Sequence, residues 1–401
     1  MEISREDFTE LVIESLQDAG FSELHRDDEA FSLRGEFGYL TLHAPFDRYR
    51  GGSLEEQNEI IISLVKTAIA ARDHSPPKEW HEASDHVVPV VRSTRLHHQI
   101  DLLARADGRP NHLRCVQRTL ADGLNLELAL DTPHATASVS PETLENWGIS
   151  DQVALEQAVA NMTDLAPVQT SSTESGFLVA HAADGHESAR MATPEFFHGL
   201  GLSGDPVVIP AVRGAMLIAG LDDPAALQGM AEAAQDLLEQ ERWIGFTPYV
   251  HDGRRWKRLE LPDEHPAAQS MRKLELMELR EDYEAQRVPL GKLHAKAFIS
   301  KLIVRDENND VRSFAAWGEG LKVLLPRADS YVFSLLNPDD PEEIGEMFDV
   351  PFGDVLEIVG DRLVAVEDVR PLRYLAESFP NAQELDRLRD RAFAHDPVAN
   401  S

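Results

Sequence analysis

"LNLELALDTPHATASVSPETLENWGISDQVALEQAVANM", residues 124–162, carries both of the periods from which the fold class is read. Leu124, Leu126, Leu128 and Leu130 alternate with other residues, so four Leu side chains share one face of a strand. Helical signals follow. Ser140 precedes Pro141, a cap followed by a residue whose fixed φ suits the first helical position. Gly148 is placed to end that short helix in the left-handed conformation. Ser150 caps a second helix, with Leu155, Ala158, Val159 and Met162 on one stripe. Trp147 falls at the corner, beside Ile149. A ring there either fills the angle between the two helices and the Leu-lined strand or recognises a partner. The first reading makes Trp147, Gly148 and Ser150 structural residues, with the indole N–H on one acceptor.

Strand and helix mix in the same irregular way along the rest of the chain. Residues 4–18 read as an amphipathic helix with Phe8, Leu11, Val12, Ile13 and Leu16 inward, and "AFSLRGEFGYLTLHAP" as two short strands around Gly35. Ser53 and Glu56 form a capping box for a long helix. These make a small α-β-β-α domain, residues 1–76, closed by the Pro-bearing "DHSPPKEW". A central domain, 87–262, opens on the strand "VVPVVRS", where Pro89 predicts an edge or a bulge. It continues through "GFLVAHA", a helix around 186–198, the strands "PVVIP" and "AMLIAG", a helix from Pro224 to about Glu239, and strands near 245–250 and 256–261. A C-terminal unit, 266–395, holds a helix over 267–285, a hairpin across "DENND", further strands, and a helix starting at "DDPEE" with Pro341 in its first position. A last helix begins at Ala382, and "HDPVANS" reads as a frayed end. Without strict βαβ alternation the class is α+β: three consecutive mixed α/β units with mainly antiparallel sheets.

The bulk numbers narrow the function. The 401 residues suit two or three domains, and 42% apolar content supports buried cores. Seventy acidic residues against 38 basic ones give a net charge of −32, which repels phosphate backbones and anionic lipids. No nucleic acid and no membrane are therefore expected as partners. A protein partner offering a basic or extended peptide segment is expected instead. The acidic "MEISREDFTEL" has neither a basic nor an apolar signal region, and the longest apolar runs are broken by Lys66 and Arg213, which together predict a cytoplasmic protein. One cysteine, Cys115, excludes an internal disulfide and a Cys-cluster zinc site, and "HLRCVQRTL" reads as a half-buried strand.

No phosphate-cradling loop of the P-loop or dinucleotide type completes its pattern, and GxSxG is absent. His81 and His86 lie in a linker, His97 and His98 point to opposite sides of a strand, and His181 and His186 flank a turn with Asp184. None of these pairs comes with an identifiable third ligand, so no metal and no cofactor are expected. His294 is a lone candidate base. Two arginines remain: Arg92 ends "VVPVVRS" next to Ser93, and Arg213 follows "VVIPAV". A guanidinium at a strand end can hold a carboxylate or phosphate bidentately, or it can close an internal salt bridge. Arg92, Ser93 and Arg213 thus form a candidate anion site.

"VVPVVRST", "LELALDTPHATASVSPETLENWGISDQVALEQAVANM" and "PVVIPAVRGAMLIAG" resemble, in the same order, blocks of the YtpQ-like proteins, a bacterial family of unknown function. The resemblance covers roughly residues 1–265 and leaves 266–401 outside. It departs at Gly214, where an acidic residue would follow the Arg of the second Pro-x-x-Arg block, and this weakens a paired Arg–Asp site. The resemblance implies the domain order and no reaction. The leading expectation is a non-enzymatic protein-interaction, regulatory or chaperone-like role. The alternatives are an enzyme or small-anion-binding protein using Arg92 and Arg213, and an acidic immunity or antitoxin-like protein.

Overall fold

The computed structural model describes residues 3–28, 31–73, 76–108, 114–132, 135–163, 165–238, 243–307, 310–337 and 339–393. The chain is an α+β protein with mainly antiparallel sheets. It forms two compact units, one of residues 1–90, 114–118 and 127–165, the other of residues 91–113, 119–126 and 166–401. Among the described residues no helix is long and apolar enough to cross a membrane. The C-terminal "HDPVANS" and the far end of the expected helix at Glu239 lie outside the described residues.

In the first unit, the helix Arg5–Asp18 buries Phe8, Val12 and Leu16. The expected pair of strands is there, Ser32–Gly35 and Gly38–Thr41, joined by a third, His25–Asp27, in one antiparallel sheet. An additional helix, His43–Gly51, precedes the capped helix Leu54–Asp73. The Ser53 amide and hydroxyl both donate to Glu56, completing the predicted box. A second cluster packs Val87, Leu128, Leu130 and Val139 against Leu144, Trp147, Ala154, Leu155 and Ala158. Strands Val87–Ser93, Gln117–Ala121 and Ala135–Ser138 each pair with Leu124–Thr132, and Val87–Ser93 ends its sheet, the edge position that suits Pro89.

The second unit contains a sheet in the order Trp256–Arg258, Tyr249–His251, Pro206–Val212, Ala215–Gly220, Leu178–His181, Gln169–Ser172, with Trp243–Gly245 also paired to Pro206–Val212. Val207, Ile209, Leu217 and Ala219 pack against Leu227, Met230 and Ala234 of the helix Pro224–Leu237, and Met271 and Leu274 of the helix Ala268–Ala285. Further on, one sheet orders Ile303–Glu307, Asp310–Gly318, Ser330–Asn337 and Asp340–Pro351; another joins Phe298–Ile299, Val323–Pro326, Arg373–Ala376 and Leu363–Val366. Their core is aromatic: Trp317, Tyr331 and Phe333 are fully buried with Tyr283, Val350, Val355 and Leu388. Arg373 is fully buried too, and donates to Gln286 Oε1 and to the carbonyls of Tyr283, Ser300 and Leu324.

Four local expectations fail. "DDPEE" opens a strand, Asp340–Pro351, and not a helix. The alternation of Phe348 and Val350 decides it, because these residues oppose Phe333 and Tyr331 across the ladder, and Pro is tolerated on the edge. His97 and His98 lie on a helix, Thr94–Ala106, because Ser93 caps it: the Ser93 hydroxyl accepts from the Arg95 N–H. The helix around 186–198 is a 3-10 segment, Glu187–Ala192, followed by one short turn, Glu195–His198. Cys115 is half-buried just before the strand that starts at Gln117, not within it.

Candidate functional site

The residues singled out in the sequence take up distinct roles. Ser93 is the helix cap, and Arg92 ends its strand half-buried. Arg213 and Gly214 form the two-residue turn between Pro206–Val212 and Ala215–Gly220. Arg213 is exposed and donates to the carbonyl of Asp184. Gly214 has φ +103°, a conformation only glycine takes freely. A carboxylate reaches this turn from elsewhere: the Gly214 N–H donates to Glu187 Oε1 at 2.8 Å. Asp184 spends its two oxygens on the N–H groups of Ala166 and His186. His181 is exposed and His186 buried.

The Trp147 corner is built as the structural reading requires. Ser140 accepts from Thr143, Gly148 is left-handed at φ +66°, and Ser150 accepts from Val153. The indole is 8% exposed, donates to the Pro77 carbonyl at 2.7 Å, and lies against Trp80 with centroids 5.6 Å apart.

A buried charge cluster lies beside Ser93 and was not singled out by sequence. Arg95, held in the first turn of Thr94–Ala106, places Nη1 3.0 Å from Glu278 Oε1 and 2.7 Å from Asp282 Oδ2. The carboxylate side chains are 4% exposed and that of Arg95 is 28% exposed. Both contacts are charge contacts and not aligned hydrogen bonds. Glu278 also accepts from the Phe246 N–H and the Thr247 hydroxyl. The Tyr249 hydroxyl donates to the Asp122 carbonyl. Gly245 completes the wall, since a Cβ there would lie 3.7 Å from Glu278 Oε1 and 3.9 Å from Ser93 Cβ.

Burial raises the Asp282 carboxyl to about 7; Arg95 opposes the rise, and the charges of Glu278 and Glu281 add to it. Burial also works against the Arg95 charge, but the two carboxylates more than offset it and its pKa rises. Burial, with the Glu278 charge, holds the Tyr249 hydroxyl protonated. A carboxyl that changes charge near neutrality, tied to one guanidinium, can store or release a proton and change the net charge of the cluster. One sequence signal could have found it. Met271, Leu274, Glu278 and Asp282 share a single helical stripe, so two acids stand where the apolar pattern should continue.

Comparison with protein-family models, with curated proteins and with solved structures finds no match.

Proposed function

We propose that the chain is a non-enzymatic protein-binding protein with a regulatory or chaperone-like role, holding an extended segment of its partner. The observation that supports this most directly is a pair of exposed sheet edges in the second unit. All four residues of the terminal strand Gln169–Ser172 are exposed. The terminal strand Asp340–Pro351 is exposed throughout residues 343–347. An edge strand offers a row of backbone donors and acceptors to a further strand, which gives affinity without a preformed pocket. A net charge of −32 steers basic partners toward such an edge.

Affinity capture with the full chain at low salt, repeated at high salt, tests this reading. A stoichiometric protein partner that is released as salt rises is expected. No stoichiometric partner at low salt overturns it.

A further inference from the structure

The two exposed edges differ in chemistry. Gln169–Ser172 is four uncharged residues, "QTSS". Asp340–Pro351 is twelve residues, and the run 339–346 reads "DDPEEIGE", five acids in eight positions. We infer that the outer edge of Asp340–Pro351 is a docking site for an extended basic segment, added as a further strand, in which apolar and basic side chains alternate. The inference rests on the protein-binding reading and adds its place and its chemistry.

The register of the sheet fixes which side chains such a strand would meet. Ser334 opposes Met347 and Leu336 opposes Ile344, so these residues share the face turned away from the aromatic core. On that face Ile344 is 60% and Met347 49% exposed, next to exposed Leu336. The same face continues inward through Val332 and Ala316 to Phe314, opposite exposed Ile303. It is an apolar shelf that ends at the open edge. Glu346, Phe348 and Val350 alternate onto the opposite, core side, where Phe348 stacks on Phe333. There Glu346 faces the last helix, Ala382–Arg389, and accepts two bonds from Arg389, which also binds Asp386. The register shifts at Leu335/Leu336, which brings Ile344 and Met347 to one face although they are three residues apart; an added strand that meets them sets its other side chains beside the Glu346–Arg389–Asp386 group, which carries one net negative charge.

The edge already accepts a backbone donor from outside the sheet. The Phe393 N–H donates to the Asp349 carbonyl at 2.9 Å, so the chain itself takes the outward acceptor at this end, and among the described residues the stretch left for a further strand is 343–347. Charge then selects the occupant. A second copy of the chain would set exposed Glu343 and the acidic run around it opposite their own copies, which is destabilising; a basic segment offsets that charge.

The test uses fluorescence anisotropy with labelled decapeptides and the full chain. The probes are a peptide alternating Val and Lys, one with the same composition in separate Val and Lys blocks, one alternating Val and Glu, and a Val/Lys peptide with a central Pro. The alternating basic peptide is expected to bind saturably. The block, acidic and Pro-bearing peptides are expected to bind at least about tenfold more weakly, because they lack the face match, the charge match or one backbone donor. The double variant Ile344→Lys/Met347→Lys is expected to weaken the alternating peptide by a similar factor. Equal binding of block and alternating peptides overturns the inference, and so does full affinity of the Pro-bearing peptide on the unmodified chain. A chain dimer abolished by the double variant overturns it in favour of a second copy. If the partner captured from cells binds the folded double variant undiminished, this edge is the wrong place while the protein-binding reading stands.

Discussion

Arg95 Nη1 lies 2.7 Å from Asp282 Oδ2, although 187 positions separate the two residues along the chain. The contact sets one guanidinium on two carboxylates that are one helical turn apart, so the cluster carries one more negative charge than positive when fully ionised. Asp282 relieves that imbalance by holding a proton up to about pH 7.

The sign of the resulting pH dependence follows. The folded-state pKa of Asp282 is raised above the unfolded value of about 3.9, so the folded chain binds the proton more tightly. Its stabilising contribution is complete below about pH 4 and is lost as pH rises through about 7, a change of roughly 4 kcal/mol at most. Asp282→Asn should remove this component. In urea unfolding the variant gains stability relative to the parent as pH increases from 4 to 8. A pH-independent difference would show that Asp282 stays ionised in the fold.

Arg95→Met removes the cation that lies on both carboxylates and leaves them buried together. At pH 8 this should cost about 3–5 kcal/mol. The loss should be smaller at pH 5, where Asp282 is protonated. A loss that is equal at both values would mean the guanidinium acts through packing alone.

Trp147→Ala should cost about 3–5 kcal/mol, since it empties a corner filled by an 8% exposed ring against Trp80. Trp147→Phe keeps much of the ring but leaves the Pro77 carbonyl without its donor, and should cost about 1–3 kcal/mol. Chemical unfolding of both variants separates packing from hydrogen bonding, and a near-zero loss for Trp147→Ala would show an exposed ring.

Arg373→Lys should destabilise the chain by about 2–4 kcal/mol despite keeping the charge. One ammonium cannot reach four acceptors spread over Gln286, Tyr283, Ser300 and Leu324, and each buried carbonyl left bare costs about 1–3 kcal/mol. Thermal unfolding checks it; an unchanged midpoint would mean that the four bonds contribute little.

Ala211 has φ +52° inside the irregular stretch of Pro206–Val212 and is fully buried. A left-handed L-residue costs about 1–2 kcal/mol, while the buried methyl contributes about 0.8 kcal/mol. Ala211→Gly should therefore be close to neutral, whereas Ala211→Val should cost more than about 2 kcal/mol. A clear loss for Ala211→Gly, read from urea midpoints, would mean the backbone is unstrained there.

The legible parts of the fold were those whose chemistry is local. The Ser140–Pro141 start, the left-handed Gly148 and the Ser150 cap each need only neighbours within a turn, and all three form as the residues dictate. The four-Leu face of Leu124–Thr132 is likewise a property of a short stretch. The candidate site was only half legible. Ser93 was singled out beside Arg92 as an anion ligand, and it caps the helix that carries Arg95. Glu278 and Asp282 stood out of their apolar stripe without showing what they meet.

Tertiary structure decided the rest. "DDPEE" carries every local mark of a helix start, yet Phe348 and Val350 bury themselves against Phe333 and Tyr331 only from a strand, and that packing outweighs a cap. A capping box is settled within four residues. The pairing of Arg95 with Asp282 and the exposure of the Asp340–Pro351 edge depend on which distant segments come to lie alongside, and no local spacing encodes that.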